Sequence, residues 1–313
     1  MPPAAESHLL FSILCAIFAS VPVAVLIRRL TGSRWSNPLP ALSLPSFDSP
    51  YAPPLTELAE PPPLPMAPEN DAPWTRKDAF FAVVLALIVG VLMGPGMTLL
   101  MGHPVNEDGA AEMKFSVSLF VTQIIFQAGV IGIIVAYLTV HRRYRLTPLF
   151  GLRSMGAAKT LGMAVLWLMA AYFMLIVITA AGLEPLLKSL TGLDLKPQGL
   201  VESAPDITDP VSRVLMFVTL CIGAPVMEEL IFRGVLFNVA ARWIHPVYAT
   251  VATSLLFGVI HNNLLSLVPL TLLGLCFAEA YRRTGSLAVP MLMHAIFNCI
   301  SFLAITYGVP EVQ

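Results

Sequence analysis

The chain has 313 residues, 57% of them hydrophobic and only 12% charged, with a formal net charge of −1 and a mean hydropathy of +0.78. A soluble domain carries about a quarter of its residues as Asp, Glu, Lys and Arg, so this composition excludes a soluble globular protein. It reads as an all-α, polytopic transmembrane bundle with the lipid bilayer as its surroundings and no nucleic acid as a partner.

Residues 8–27 form an apolar run of about 20 residues, long enough to span a bilayer, followed at once by Arg28 and Arg29. A cleaved signal peptide has its positive charge before the apolar stretch. Residues 1–29 are therefore expected to be a retained span with its N-terminus outside. Residues 30–75 change character: twelve of the chain's 27 prolines lie between Pro38 and Pro73. Proline lacks an N–H and fixes φ, so this segment reads as a Pro-rich cytoplasmic linker that acts as a spacer.

Residues 76–210 hold three further expected spans: Ala79 to Met101, Ser116 to Val140 and Ala157 to Gly182. Gln123 and Gln127 lie four apart in the third of the chain's spans, a pattern that glues helices together. The acidic segment 183–210 is expected to be an outer loop, with an interfacial helix around Leu186–Leu190. Residues 211–308 supply the rest: Val211 to Trp243, Val247 to about His261, Leu264 to Tyr281 and Leu287 to about Tyr307. This makes about eight spans. With an outside N-terminus, most of the 18 basic residues fall in cytoplasmic loops, as the positive-inside rule requires, and both termini face outward. The plasma membrane is the expected location. The four cysteines, Cys15, Cys221, Cys276 and Cys299, all lie in apolar runs without C-x-x-C spacing and read as small buried residues.

Glu228-Glu229-Leu-Ile-Phe-Arg233 stands inside the longest apolar run. A charged side chain at bilayer depth costs at least a few kcal/mol, and such residues are usually paired or functional. Glu229 and Arg233 are four apart, with the acid on the N-terminal side, the favourable order for an ion pair on one helix face. Glu228 points about 100° away and is left for chemistry. Pro225 just before the acids is expected to kink the helix and open a water-filled notch beside Glu228.

His261 and His294 lie in late apolar runs, each with a partner four residues away, Phe257 and Asn298 respectively. Folded as a hairpin about Trp243–Pro246, the fifth and sixth spans put Glu228 and His261 at one depth, each about 22 Å from the turn. His294 fits less well, only about 12 Å past Ser286. A carboxylate, two imidazoles and an amide suit hydrolysis. Glu228 can take a proton from an attacking water, with His261 orienting that water. His294 and Asn298 can donate to the developing oxyanion. Two histidines and a carboxylate are also a metal constellation. If zinc is used, Glu228, His261 and His294 are the expected ligands.

Glu228-Glu229-x-x-x-Arg233, Phe257-x-x-x-His261 and His294-x-x-x-Asn298 resemble, in order and spacing, the three motifs of the CPBP family. That family contains the type II CAAX prenyl proteases and bacteriocin-processing-like proteins. Gly234, Gly258 and Pro290 match as neighbours, and the resemblance covers about residues 210–300. It implies an intramembrane endopeptidase with a buried catalytic cavity. Glu228 would be the base, His261 would stand beside it, and His294 and Asn298 would stabilise the oxyanion. Glu229, Arg233 and Phe257 would support the site. Family members are often labelled metalloproteases, although a metal-independent glutamate mechanism fits the pattern as well. The substrate implied is a membrane-associated peptide or protein, of which a prenylated CAAX tail is the family's best-known example.

Two other classes compete. One is a non-enzymatic membrane scaffold that keeps these residues for packing. The other is an ion-coupled transporter with Glu228 and Arg233 on the ion path. The intact set of Glu228, His261, His294 and Asn298 favours the protease. No paired, interrupted spans mark an inverted repeat of the kind that transporters show.

Overall fold

The computed structural model describes residues 74–93, 117–192 and 204–307. The first expected span, nearly all of the Pro-rich linker and the end of the second span at Met101 lie outside the described residues. Eight helices are numbered here in chain order: α1 Arg76–Met93, α2 Val117–His141, α3 Ala157–Ala180, α4 Leu183–Thr191, α5 Pro210–Trp243, α6 Pro246–Ile260, α7 Leu264–Thr284 and α8 Ala288–Tyr307. No strand occurs among the described residues. The protein is an all-α, multi-pass membrane protein.

The helix limits follow from local chemistry. α5 opens with Pro210 in its first turn, and Asp209 caps it by accepting from the Ser212 N–H at 2.8 Å. Those short backbone bonds hold the Asp209 carboxyl below its usual pKa. α7 begins where Asn263 Oδ1 accepts from the Ser266 N–H at 2.9 Å. It ends at Gly285, whose φ of 64° lies in the left-handed region that other residues avoid.

Among the described residues, five helices are long and apolar enough to cross a membrane: α2, α3, α5, α7 and α8. α6, expected as a span, has 15 residues and so measures about 22 Å. That is too short to cross a hydrocarbon layer of about 30 Å alone. It turns back at Asn262, whose φ is 49°, and packs along α7 as a hairpin. α5 is the opposite case. Its 34 residues reach roughly 50 Å, well beyond the layer, so it links the two surfaces through the centre of the bundle. α4 is the short helix expected near Leu186–Leu190, with no buried residue.

Among the described residues, the helix ends and loops sort by charge. Asp78 in the first turn of α1 pairs with Arg142 just past α2 at 2.9 Å. The Leu287 N–H donates to the Phe150 carbonyl at 2.9 Å, which sets the α7–α8 turn against the segment between α2 and α3. The end of α5 packs on α1. Arg76, Lys77, Arg142, Arg143, Arg145, Arg153, Lys159, Arg242, Arg282 and Arg283 thus share one end of the bundle. At the other end Arg213 donates to the Ile207 carbonyl at 2.7 Å and lies over the Tyr307 ring.

The main core runs around α5, which is buried on every side from Leu230 to Val239. A second cluster, including Phe120, Ile207, Met216, Cys221 and Phe302, closes the less basic end. α3 instead exposes Leu166, Met169, Phe173 and Ile176 at helical spacing, the stripe expected of a face against lipid.

Candidate active site

α5 does not keep one helical register. Val218–Gly223 and Leu230–Phe237 are π-helical, and the α-helical turn Ala224–Glu229 lies between them. π turns are rare and collect at functional sites, because each widens the helix and re-aims the side chains around it. In the π register the partner of the Leu220 carbonyl would be the N–H of residue 225. Proline has none. The Asn298 side chain supplies the donor instead, with Nδ2 at 2.8 Å from the Leu220 oxygen. One residue earlier in the same segment, Gln127 Nε2 of α2 donates to the Thr219 carbonyl at 3.2 Å. The carbonyl that Pro225 leaves without a backbone donor is thus served by an amide from α8.

The second π segment is held in the same way. Asn238 Nδ2 lies 2.9 Å from the carbonyls of both Arg233 and Gly234, and 3.1 Å from the Tyr281 hydroxyl. The sequence reading missed Asn238. Its signal was an amide in an apolar run five residues past Arg233.

Between these braces stand the two acids. Arg233 Nη1 donates to Glu229 Oε1 at 2.8 Å, and Nη2 donates to the Gly274 carbonyl of α7 at 2.8 Å. Both side chains are essentially buried, so the Glu229–Arg233 pairing read from their spacing is present. A side chain at Gly274 would press on Ser254 and on Arg233 Nη2; glycine there lets the guanidinium reach the backbone. The guanidinium also lies over the rings of Phe257 and Phe277, 4.9 and 5.2 Å from their centroids. Such cation–π contacts help to hold a desolvated cation.

His294 of α8 joins both acids. Its Nδ1 is 3.1 Å from Glu229 Oε1, and its Nε2 is 3.9 Å from Glu228 Oε2. The ring stacks on Phe277 at 4.8 Å. A carboxylate only accepts, so the Nδ1 hydrogen points at Glu229 and Nε2 is the nitrogen turned toward Glu228. Glu228 is 3% exposed, and its Oε2 has no hydrogen-bond partner among the described residues.

The depth mismatch expected for His294 has a structural answer. Ser286 and Leu287 are buried, because the turn before α8 tucks under Phe150 and Gly151. His294 therefore starts from inside the protein and needs few residues to reach the acids.

His261 sits at the C-terminal cap of α6. Its Nδ1 donates to the Phe257 carbonyl at 2.7 Å, and its ring lies 4.9 Å from the Phe257 ring. It forms no ion pair with a carboxylate among the described residues. The imidazole that faces Glu228 is His294, where the sequence geometry had placed His261. Phe257 is the common wall, in contact with His261, His294, Phe232, Phe277 and Arg233.

The expected zinc ligands do not assemble. No three His, Cys, Asp or Glu side chains among the described residues converge as a metal would require.

A multi-pass helical membrane protein with a buried acid–arginine–histidine cluster is the class that this fold and geometry define. Residues 210–300 match the family model described as type II CAAX prenyl endopeptidase Rce1-like. Over 171 residues the chain is 29% identical to the "Putative membrane peptidase YdiL" of Bacillus subtilis (strain 168), covering 54% of this chain and 67% of that protein. Over 98 residues it is 38% identical to an "Uncharacterized 24.3 kDa protein" of Escherichia coli, covering 30% of this chain and 42% of that one. No solved structure matches the chain. The match over residues 210–300 and the similarity to a protein named a membrane peptidase support a CPBP-type membrane peptidase.

Proposed function

We propose that this protein is an intramembrane endopeptidase that cleaves a membrane-associated peptide with a water activated by Glu228. One observation carries the reading: a buried Glu228 whose Oε2 lacks a protein partner, with the His294 Nε2 lone pair 3.9 Å away. That gap is too long for a direct hydrogen bond and short enough for one water to touch both groups. Glu228 takes the proton as the water oxygen attacks the scissile carbonyl, and His294 shares it. The same proton then passes to the leaving amine, and the peptide C–N bond breaks.

Glu229 and Arg233 keep His294 in its tautomer and orientation. One oxyanion donor is the second amide hydrogen of Asn298, the first being held by Leu220. His261, tied to Phe257 through Nδ1, has Nε2 left to orient the attacking water. The basic end of the bundle faces the cytoplasm, in the plasma membrane.

The substrate class in this proposal is a prenylated CAAX tail, which the matched family's description suggests. The test is cleavage by purified protein in detergent of three peptides: a farnesylated CAAX peptide, its unprenylated twin, and an acylated peptide without the CAAX sequence. Preference for the first supports the CAAX reading. Preference for the acylated peptide keeps the protease and removes CAAX specificity. No cleavage of any of them would overturn the proposal.

A further inference from the structure

A second feature lies at the basic end, away from the acids. Arg76, Lys77, Phe80, Phe81 and Val84 of α1 and Tyr137 and His141 of α2 line a groove of about 490 Å³. Its floor is an aromatic stack, with the Phe81 and Tyr137 rings 3.8 Å apart and 7° from parallel. The nearest acid, Asp78, puts no free negative charge into the groove. It is fully buried and accepts from the Thr75 N–H, the Thr75 hydroxyl and the Tyr137 hydroxyl at 2.6 to 2.8 Å, and it pairs with Arg142. Arg76 and Lys77 are exposed and make no ion pair among the described residues.

The groove also has an apolar continuation. Phe80 is 72% exposed, and Leu87, Ile88 and Val91 follow it, also exposed, along the same face of α1. From Lys77 to Val91 this face runs about 21 Å, the length scale of one leaflet's acyl chains. A cationic mouth at the membrane surface above an apolar stripe complements an anionic headgroup with its chain attached.

We propose that the α1–α2 groove binds one anionic phospholipid. Its phosphate sits on Arg76, Lys77 and His141, and an acyl chain lies along Phe80, Val84 and Leu87. This inference is independent of the proposed hydrolysis.

The test is native mass spectrometry of the full chain released from nanodiscs of phosphatidylcholine with phosphatidylglycerol. Wild type, Arg76→Gln/Lys77→Gln, Phe80→Ser and Arg153→Gln, a basic residue of the same end outside the groove, are compared. Wild type is expected to retain one phosphatidylglycerol in preference to phosphatidylcholine. The double variant should lower that retention about tenfold or more, Phe80→Ser should lower it several-fold, and Arg153→Gln should leave it unchanged. Equal retention of the two lipids by wild type would overturn the proposal without recourse to any variant. Retention insensitive to Phe80→Ser but competed by millimolar inorganic phosphate would also overturn it, by showing a free-anion site. Absence of retained lipid in every arm would do the same, the groove then being filled by another part of the chain.

Discussion

His294 Nδ1 donates to Glu229 Oε1 at 3.1 Å, joining α8 to α5 across 65 positions of sequence. The same carboxylate oxygen holds Arg233. Glu229 is therefore the shared anchor of the cluster, and Glu228 stands beside it with an unclaimed oxygen.

This division of labour predicts different fates for the two acids. Glu229→Gln leaves a buried guanidinium without its counter-charge, a loss of about 3–5 kcal/mol for pairs of this kind. Thermal unfolding in detergent should show a markedly lowered midpoint. Arg233→Lys should do the same, because an ammonium cannot reach both Glu229 and the Gly274 carbonyl. Glu228→Gln should melt close to wild type.

Asn298 carries a structural duty that can be separated from any catalytic one. Asn298→Ala leaves the Leu220 carbonyl without its side-chain donor, a cost of about 1–3 kcal/mol for a buried group. Pro225→Ala restores an N–H at the position that would serve that carbonyl. In a double-mutant cycle, Asn298→Ala should be less destabilising in the Pro225→Ala background. Equal cost in both backgrounds would contradict the assignment.

The α6–α7 hairpin depends on a glycine for closeness. A Cβ on Gly258 would run into Thr271 Oγ1 and come within 2.8 Å of the Leu267 carbonyl. Gly258→Ala should push the helices apart and cost about 1–3 kcal/mol. It should also move Phe257 and with it both imidazoles. A lowered melting midpoint together with a fall in peptide cleavage would be the result.

Chelation provides a further check. No three His, Cys, Asp or Glu side chains converge among the described residues as a metal would require. Incubation with a strong zinc chelator should leave both the melting midpoint and cleavage unchanged. Loss of either, restored by added zinc, would contradict this geometry.

Much of the described architecture was legible because apolar periodicity and charge need no tertiary information. α3 and α5 begin within a residue of their expected starts, and the Glu229–Arg233 pair follows from spacing alone. Three things were hidden. The two π segments of α5 change its register, so depth counted at a constant rise misplaces its partners. His294, whose depth the count left unsettled, comes within 3.9 Å of Glu228. The buried turn at Ser286 and Leu287 depends on Phe150, more than 130 positions earlier. Asn238 was not singled out, and the bond it makes to Tyr281 and the rings that Phe257 touches on other helices lie beyond any local window. The length of α6 was visible in the sequence, but an apolar run of 15 residues between turns was read as a full span.

The central claim is that Glu228 activates the hydrolytic water while Glu229 holds the site together. The most direct measurement is single-turnover cleavage of the preferred peptide by wild type and Glu228→Gln, with the folded fraction of each matched by its melting curve. The account predicts a folded variant whose cleavage rate falls by about two orders of magnitude or more, the loss expected when a general base is removed. A folded Glu228→Gln protein that cleaves at the wild-type rate would contradict it.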